Sequence, residues 1–260
     1  DKVRVTGGEP LITPKFDEFL MGLGALGFED VSLTTNAQKL SEKIDVIEAA
    51  GIKRMNISLD TLNPLKFKQI ARGGDLATVL EGIAAAQARG IKLKINMVPM
   101  RTVNRDDVLP LLKFCLERDI ELRFIELMRM GHLNQGQGFA QDFLSMQSLL
   151  DLIGESFEFE RTDAPFDSTA VRFDIPGQGT FGIIANESEP FCSACTRLRL
   201  SSDGYLYGCL SSPRRESIRD LLTLPQHLVF PQLQGRLLAA LNVKQQTFQG
   251  ETTVMKFIGG

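Results

Sequence analysis

The sequence predicts an α/β protein: a partial (β/α) barrel followed by a small α+β region with antiparallel strands. Three observations carry that prediction. Five short strand-like segments alternate with helix-like stretches through the first half. Each of those strands alternates polar and apolar residues. After Met130 the rhythm gives way to turn-bounded β segments. Strands and helices alternating at this spacing make βα units and a parallel sheet, closed or nearly closed as a barrel.

The strand segments are Lys2–Thr6, Val31–Asn36, Arg54–Asp60, Lys92–Val98 and Glu121–Met128. Helices are expected over Lys15–Leu26, Ala37–Ala50, Pro64–Arg89 and Asp106–Arg118, the third broken at Gly73–Gly74. Apolar residues recur at helical spacing in Phe16, Phe19, Leu20, Leu23 and in Val108, Leu111, Leu112, Cys115, Leu116. Gly27, Gly51 and Gly90 each stand just past a helix, where a stop belongs.

Strands in open parallel sheets usually read apolar on both faces. Here Lys2, Arg4 and Thr6 share one face and Val3 and Val5 the other. The same split recurs in Ser32/Thr34, Asn56/Ser58/Asp60, Lys92/Lys94/Asn96 and Glu121/Arg123. The apolar set should face the helices. The polar set should then face a barrel interior, where a filled barrel would carry packed Val, Ile and Leu. Burying those charges without partners is costly. A wet lumen that holds a negatively charged ligand resolves the cost; an open sheet with one solvated face is the alternative.

In the second half, 131–139 is a Gly/Gln-rich loop and Gln147–Ile153 a short helix. Ala170–Ile175 and Thr180–Ile184 flank the turn Pro176-Gly-Gln-Gly179, and Arg197–Leu200 and Tyr205–Cys209 flank Ser201-Ser-Asp-Gly204. These read as one small antiparallel sheet, followed by a helix near Leu233–Leu241 and an extended tail. Residues 1–130 are thus expected as the barrel portion and 131–260 as a C-terminal domain.

Composition excludes several classes. The 260 residues carry 29 Lys+Arg against 32 Asp+Glu, with 43% hydrophobic and 23% charged. That is an ordinary globular mix, neither disordered nor disulfide-dense. No apolar run approaches the roughly 20 residues that span a bilayer. A net charge of −3 suits nucleic-acid wrapping poorly, so neither nucleic acid nor membrane is an expected partner.

Cys192-Ser-Ala-Cys195 puts two sulfurs at one place, and the following hairpin can return Cys209 to them. Three thiolates suit an iron–sulfur cluster with an open iron, or zinc with a further ligand. A redox dithiol leaves Cys209 unused. Cys115, on the apolar face of its helix, reads as a core thiol. Arg197 and Arg199 follow closely, and guanidinium forks suit phosphate or carboxylate. Gly7-Gly8-Glu9-Pro10 closes the first strand, where glycine lets backbone approach a ligand. His132 and His227 read as loop and surface residues.

These residues resemble a family. Arg4-Val-Thr-Gly-Gly-Glu-Pro10 resembles the Gly-Gly-Glu-Pro element of radical S-adenosylmethionine (SAM) enzymes. Cys192-Ser-Ala-Cys-Thr-Arg-Leu-Arg-Leu-Ser-Ser-Asp-Gly204, with Cys209, resembles the second-cluster segment of the GTP 3′,8-cyclase family of molybdenum cofactor biosynthesis. Leu33-Thr-Thr-Asn36, Asn56-Ile-Ser-Leu-Asp60, Arg123-Phe-Ile-Glu-Leu-Met128 and the closing Gly259-Gly260 fit it too.

The resemblance implies a partial radical SAM barrel without its first strand. SAM would be held at Gly8, Ser58 and the main chain of Met128, with Gly7 and Glu9 in the element around its amino group. Arg4, Thr34, Lys94, Arg197 and Arg199 match positions that hold GTP, chiefly its phosphates, the last two serving catalysis, and Lys2 and Arg123 fall at further charged, substrate-facing positions of the same lumen. Gly259 and Gly260 would reach toward the active site. Cys192, Cys195 and Cys209 match the ligands of a second [4Fe–4S] cluster. The implied reaction cleaves SAM at a first [4Fe–4S] cluster, and the resulting radical takes hydrogen from the GTP ribose before the carbon attacks guanine. Hard chemistry of this kind belongs to the cofactors, while the protein positions and shields. The family's first-cluster cysteine motif lies upstream of Gly-Gly-Glu-Pro and is not in these residues, so the expectation is that they alone do not cleave SAM. Implied partners are GTP, a reductant such as flavodoxin or ferredoxin, and a downstream cyclic pyranopterin monophosphate synthase, with room for a homodimer and a cytoplasmic location. Two other readings compete: a radical SAM enzyme with an auxiliary cluster and another substrate, and a non-catalytic cluster- or zinc-stabilised nucleotide-binding module.

Overall fold

The computed structural model describes residues 2–130, 133, 138–164, 168–210 and 212–244. Five parallel strands alternate with helices as the periodicity requires. They are β1 (Lys2–Val5), β2 (Asp30–Thr35), β3 (Arg54–Ser58), β4 (Lys92–Met97) and β5 (Glu121–Ile125). Between them run α1 (Phe16–Ala25), α2 (Leu40–Ala49), α3 (Pro64–Ala71), α4 (Leu76–Ala88) and α5 (Val108–Leu116). The break expected at Gly73–Gly74 separates α3 from α4. Beyond it Asp75 caps α4 by accepting the Thr78 N–H. Asn63 caps α3 ahead of Pro64, accepting from Leu65 and Lys66. Gly51 and Gly90 take φ of 79° and 68° just past α2 and α4, a left-handed stop that a side chain resists.

The second half departs from the expectation. A short helix α6 (Gly138–Asp142) and α7 (Met146–Gly154) lead to β6 (Glu160–Thr162), β7 (Val171–Ile175) and β8 (Gly179–Ile184). The β7–β8 hairpin does not join the cysteine-flanking hairpin in one small sheet. Strand β8 lies parallel to β5, and the main sheet runs β1-β2-β3-β4-β5-β8-β7-β6. Phe124 of β5 explains the attachment: it packs edge-on against Phe181 of β8, which stacks on Phe173 of β7 with centroids 5.0 Å apart. Strands from both sides of residue 130 therefore share one sheet. A separate three-stranded antiparallel sheet holds β9 (Arg199–Leu200), β10 (Tyr205–Tyr207) and β11 (Glu216–Ser217), covered by α8 (Gln226–Leu241).

The strand faces divide as the alternation predicts. Leu33, Met55, Ile57, Ile95, Leu122 and Phe124 are buried against Ile47, Val79, Ile83 and Leu112 of the helices in one core. The polar residues take the other face, and that face is concave. Arg4 of β1 and Arg123 of β5 lie four strand spacings apart, about 19 Å on a flat sheet. Yet Arg4 feels the charge of Arg123, and that of Arg197 beyond the sheet. The ladder is open between its edge strands β1 and β6 among the described residues.

Candidate functional site

Register sets the polar face out in rows. Arg4 stands beside Ser32, Ser32 beside Arg54, and Arg54 beside Lys92. Thr34 stands beside Asn56, Asn56 beside Lys94, and Lys94 beside Glu121. Ser58 stands beside Asn96, Asn96 beside Arg123, then Gly182 and Arg172. Gly182 sits close against β7: a Cβ there would stand 3.1 Å from Ala170 Cβ and 3.4 Å from the Val171 carbonyl oxygen.

Carboxylates organise this face, and there are few of them. Arg54 is held by Asp30 through Nε at 2.8 Å and Nη2 at 2.6 Å, a bidentate fork that keeps the Asp30 carboxyl below its usual pKa. Glu121 serves three cations. It accepts from Lys94 Nζ at 2.8 Å, Arg123 Nε at 2.7 Å and Arg172 Nη2 at 3.4 Å. Burial pushes the Glu121 pKa up, but the Lys94 hydrogen bond and the Arg123 charge outweigh it, so the carboxyl titrates below 4.5. Lys94 is also lowered: burial and repulsion from Arg123 and Arg172 exceed what Glu121 returns. Burial, then the guanidiniums of Arg197, Arg54 and Arg123, lower Arg4 to about 10. Arg4 is reachable by water yet ringed by protein and cations, as expected inside a lumen. It remains charged at neutral pH. Among the described residues two buried side-chain atoms lack a hydrogen-bond partner, Asn96 Oδ1 and Arg172 Nε, and both residues belong to this face. Unpaired buried polar atoms cost about 1–3 kcal/mol each, and a polar ligand is one way of removing that cost.

At one end of β1 the glycine pair leaves a gap. A Cβ built on Gly7 or Gly8 meets nothing within 4 Å. The Glu9 carboxylate is turned away from it and fully engaged: Oε1 accepts from Leu11 N and Thr35 Oγ1, and Oε2 from Asn36 N at 2.7 Å. Glu9 thus ties the loop to the end of β2, and any ligand here meets the loop's main chain. Ser58 lies exposed at the end of β3. Past it the half-buried Asp60 accepts the Val98 N–H at 2.8 Å, and burial raises its pKa. Thr34 accepts from Asn56 Nδ2 at 3.2 Å. The Met128 carbonyl accepts the Met130 N–H just beyond β5. That turn is anchored by Glu126, which accepts N–H groups of Met146, Glu187 and Ser188 and the Ser188 hydroxyl.

The three cysteines of the second half gather. Cys192 opens a short 3₁₀ turn, and its pKa rises through burial and the proximity of Cys209 and Cys195. All four cysteines are free, and Cys115 is buried, its thiol pushed up to about 12. Among the described residues no group of three or more His, Cys, Asp or Glu side chains is arranged to hold a metal ion as it stands. The donor set nonetheless fits an iron–sulfur cluster: three thiols, two of them within electrostatic reach of Cys192, with cations beside them. Arg199 is half-buried and feels both Cys195 and Cys209. Arg197 instead reaches Thr169 Oγ1 at 2.9 Å and lies near Arg4. The two arginines thus face different neighbours, Arg199 the sulfurs and Arg197 the strand face.

Lys2, Arg4, Lys94, Arg123, Arg197 and the glycine pair therefore surround or border one concave face, and Arg197 stands two residues beyond Cys195. Gly259 and Gly260 lie outside the described residues, as does His132. Sequence reasoning missed Arg172, Asp30 and Arg54 as part of this face, although Arg172 carries the same alternation in Val171-Arg-Phe-Asp-Ile175. It also missed Lys244, which no local pattern marks.

The comparisons bear on the whole of this arrangement. The radical SAM superfamily model matches residues 1–115, and the Molybdenum Cofactor Synthesis C model residues 120–250. A GTP 3′,8-cyclase of Listeria monocytogenes is 40% identical over 233 residues, covering 88% of this chain and 69% of its own. The Synechocystis GTP 3′,8-cyclase is 35% identical over 235 residues, covering 90% and 71%. The solved structure of Streptococcus suis SuiB bound to S-adenosylmethionine aligns with a TM-score of 0.55 at 15% identity. It covers 83% of this chain and 52% of that one, a likeness of fold. No helix among the described residues is long and apolar enough to cross a membrane.

Proposed function

The chain belongs to the GTP 3′,8-cyclase family of radical SAM proteins in molybdenum cofactor biosynthesis, and from that premise we propose that its concave face holds GTP for ring-forming rearrangement. One observation carries the reading. Lys94, Arg123 and Arg172 share a single carboxylate, and Arg4 and Arg197 crowd the same space. A nucleoside triphosphate supplies the negative charge this face lacks.

Arg4, Lys94, Arg123 and Arg172 bind the triphosphate, with Lys2 at the mouth and Thr34 beside Lys94. Arg197 and Arg199 span from the phosphate-binding lumen to the cysteines and orient the base and ribose. The open main chain at Gly7 and Gly8, with Ser58 and Met128, receives SAM, and Glu9 holds that loop to β2. Cys192, Cys195 and Cys209 would hold a [4Fe–4S] cluster, which would supply Lewis-acid chemistry beside the substrate. SAM bound there would supply the hydrogen-abstracting chemistry. Residues 1–130 carry the SAM and substrate face, and the later residues extend it with β8, β7 and β6 and carry the cysteines. A low-potential reductant and a synthase that consumes the cyclised product are the partners this activity requires.

Isothermal titration with GTP after anaerobic iron–sulfur reconstitution tests the reading. The expected result is about four irons per chain and GTP binding that the Arg197→Ala/Arg199→Ala double variant loses. One zinc per chain with no affinity for GTP would refute it.

A further inference from the structure

Lys244 follows α8 at the end of the described residues, and its ammonium is spent on the cysteine segment. Its Nζ donates to the Cys195 carbonyl at 2.9 Å and the Arg197 carbonyl at 2.6 Å, and stands 3.7 Å from Cys195 Sγ. An ammonium has three donors. Two therefore pin the main chain on either side of Thr196, and the sulfur is the nearby acceptor for the third. The same helix end is seated against the other cysteine-bearing strand. A Cβ on Gly208 would stand 1.6 Å from the Ala240 carbonyl oxygen and 3.2 Å from Val243 Cγ2. Gly208 directly precedes Cys209. One short stretch, Ala240 to Lys244, thus touches the Cys192–Cys195 turn on one side and the Cys209 strand end on the other.

We propose that Lys244 is a positioning residue that fixes the Cys195–Arg197 main chain, and so sets a cluster ligand and a lumen arginine in one frame. This rests on the cluster ligands proposed above. The positive charge beside Cys195 also shifts any cluster bound there to a higher reduction potential, because local charge tunes such centres. The link from helix end to cysteine to arginine gives the C-terminal region mechanical hold on the substrate face.

The test compares Lys244→Met and Lys244→Arg in the full chain, by two measurements. In the iron-free protein, amide hydrogen exchange over residues 192–199 is expected to quicken at least about tenfold in Lys244→Met, the loss of one charge-assisted hydrogen bond. Exchange in β2–β5 should stay unchanged, and Lys244→Arg should restore protection. In the reconstituted protein the cluster's midpoint potential should fall in Lys244→Met and recover in Lys244→Arg. Unchanged exchange over 192–199 overturns the positioning role whether or not iron binds. Unchanged potential in an iron-loaded Lys244→Met chain overturns the electrostatic part. A wild-type chain that takes up no iron refutes the ligand assignment, while the exchange data still decide the role of Lys244. Should Lys244→Met fail to fold, Lys244→Ala, which also removes both the donors and the charge, is read by the same two criteria.

Discussion

Replacing Glu121 by glutamine removes the one anion that three cations share, with little change of shape. The side chain is only 10% exposed, against 18% for Arg123 and 29% for Lys94. Breaking a buried ion pair by removing one partner costs about 3–5 kcal/mol. Partial exposure of Lys94 and Arg172 and the remaining amide oxygen reduce that, so about 2–3 kcal/mol is expected at pH 7. The pH dependence has a definite sign. The folded carboxyl titrates below 4.5, so its contribution is present above 4.5 and is lost as pH falls through the lower folded value. Urea denaturation should therefore show Glu121→Gln less stable at pH 7 and the gap closing in acid. GTP supplies a second check. With Glu121 acting as the resident counter-ion, its removal takes a negative charge from beneath the triphosphate. At about 8 Å and an effective dielectric of about 20 to 40 that is worth about 1–2 kcal/mol. The variant should gain correspondingly more stability from saturating GTP than the wild type. A loss under about 0.5 kcal/mol at pH 7, a gap that persists in acid, or an equal gain from GTP would refute the reasoning.

Glu126→Gln turns an amide –NH₂ toward buried N–H donors that the carboxylate now accepts, and should cost about 2–4 kcal/mol by chemical denaturation. A cost below about 1 kcal/mol would mean that the turn carrying Met128 is held by something else. Gly208→Ala sets a Cβ 1.6 Å from the Ala240 carbonyl, so α8 must shift at a cost of at least about 1–3 kcal/mol. Limited proteolysis should then cut near α8 sooner, whereas Gly235→Ala, with nothing within 4 Å, should resist as the wild type does.

The first half was legible because its signal is local. A period of two in residues 2–6 or 92–98 states which side chains share a face without any knowledge of neighbours. Caps and glycine stops likewise act within a few residues. What the second half hides is pairing. Val171-Arg-Phe-Asp-Ile175 alternates as clearly as the first strands, but nothing in it says that β8 pairs with β5 instead of with the cysteine hairpin. That choice is made by Phe124, Phe173 and Phe181, which lie far apart in sequence. Motifs have a related limit. Gly-Gly-Glu-Pro marks the loop correctly, yet the string does not reveal that the Glu9 carboxylate is committed to Thr35 and Asn36. Lys244 is silent for the same reason: its partners are main-chain carbonyls nearly fifty residues upstream.

A net charge of −3 and a cationic face are compatible because the two charge populations occupy different layers. The acids of the outer helices answer cations there: Asp17 pairs with Lys43, Glu42 with Lys39, and Asp45 with Arg89. A helix with its side chains is about 10–12 Å across. The outer acids therefore lie about a helix width from the concave face, and each is already paired with a cation of its own layer. Within that face Asp30 neutralises Arg54 and Glu121 answers only one of its three cations, so the remainder keeps a positive potential of its own. Total charge measures how the whole chain meets water. The strand rows and their shortage of carboxylates decide what the lumen will hold, and that shortage matches a polyanion.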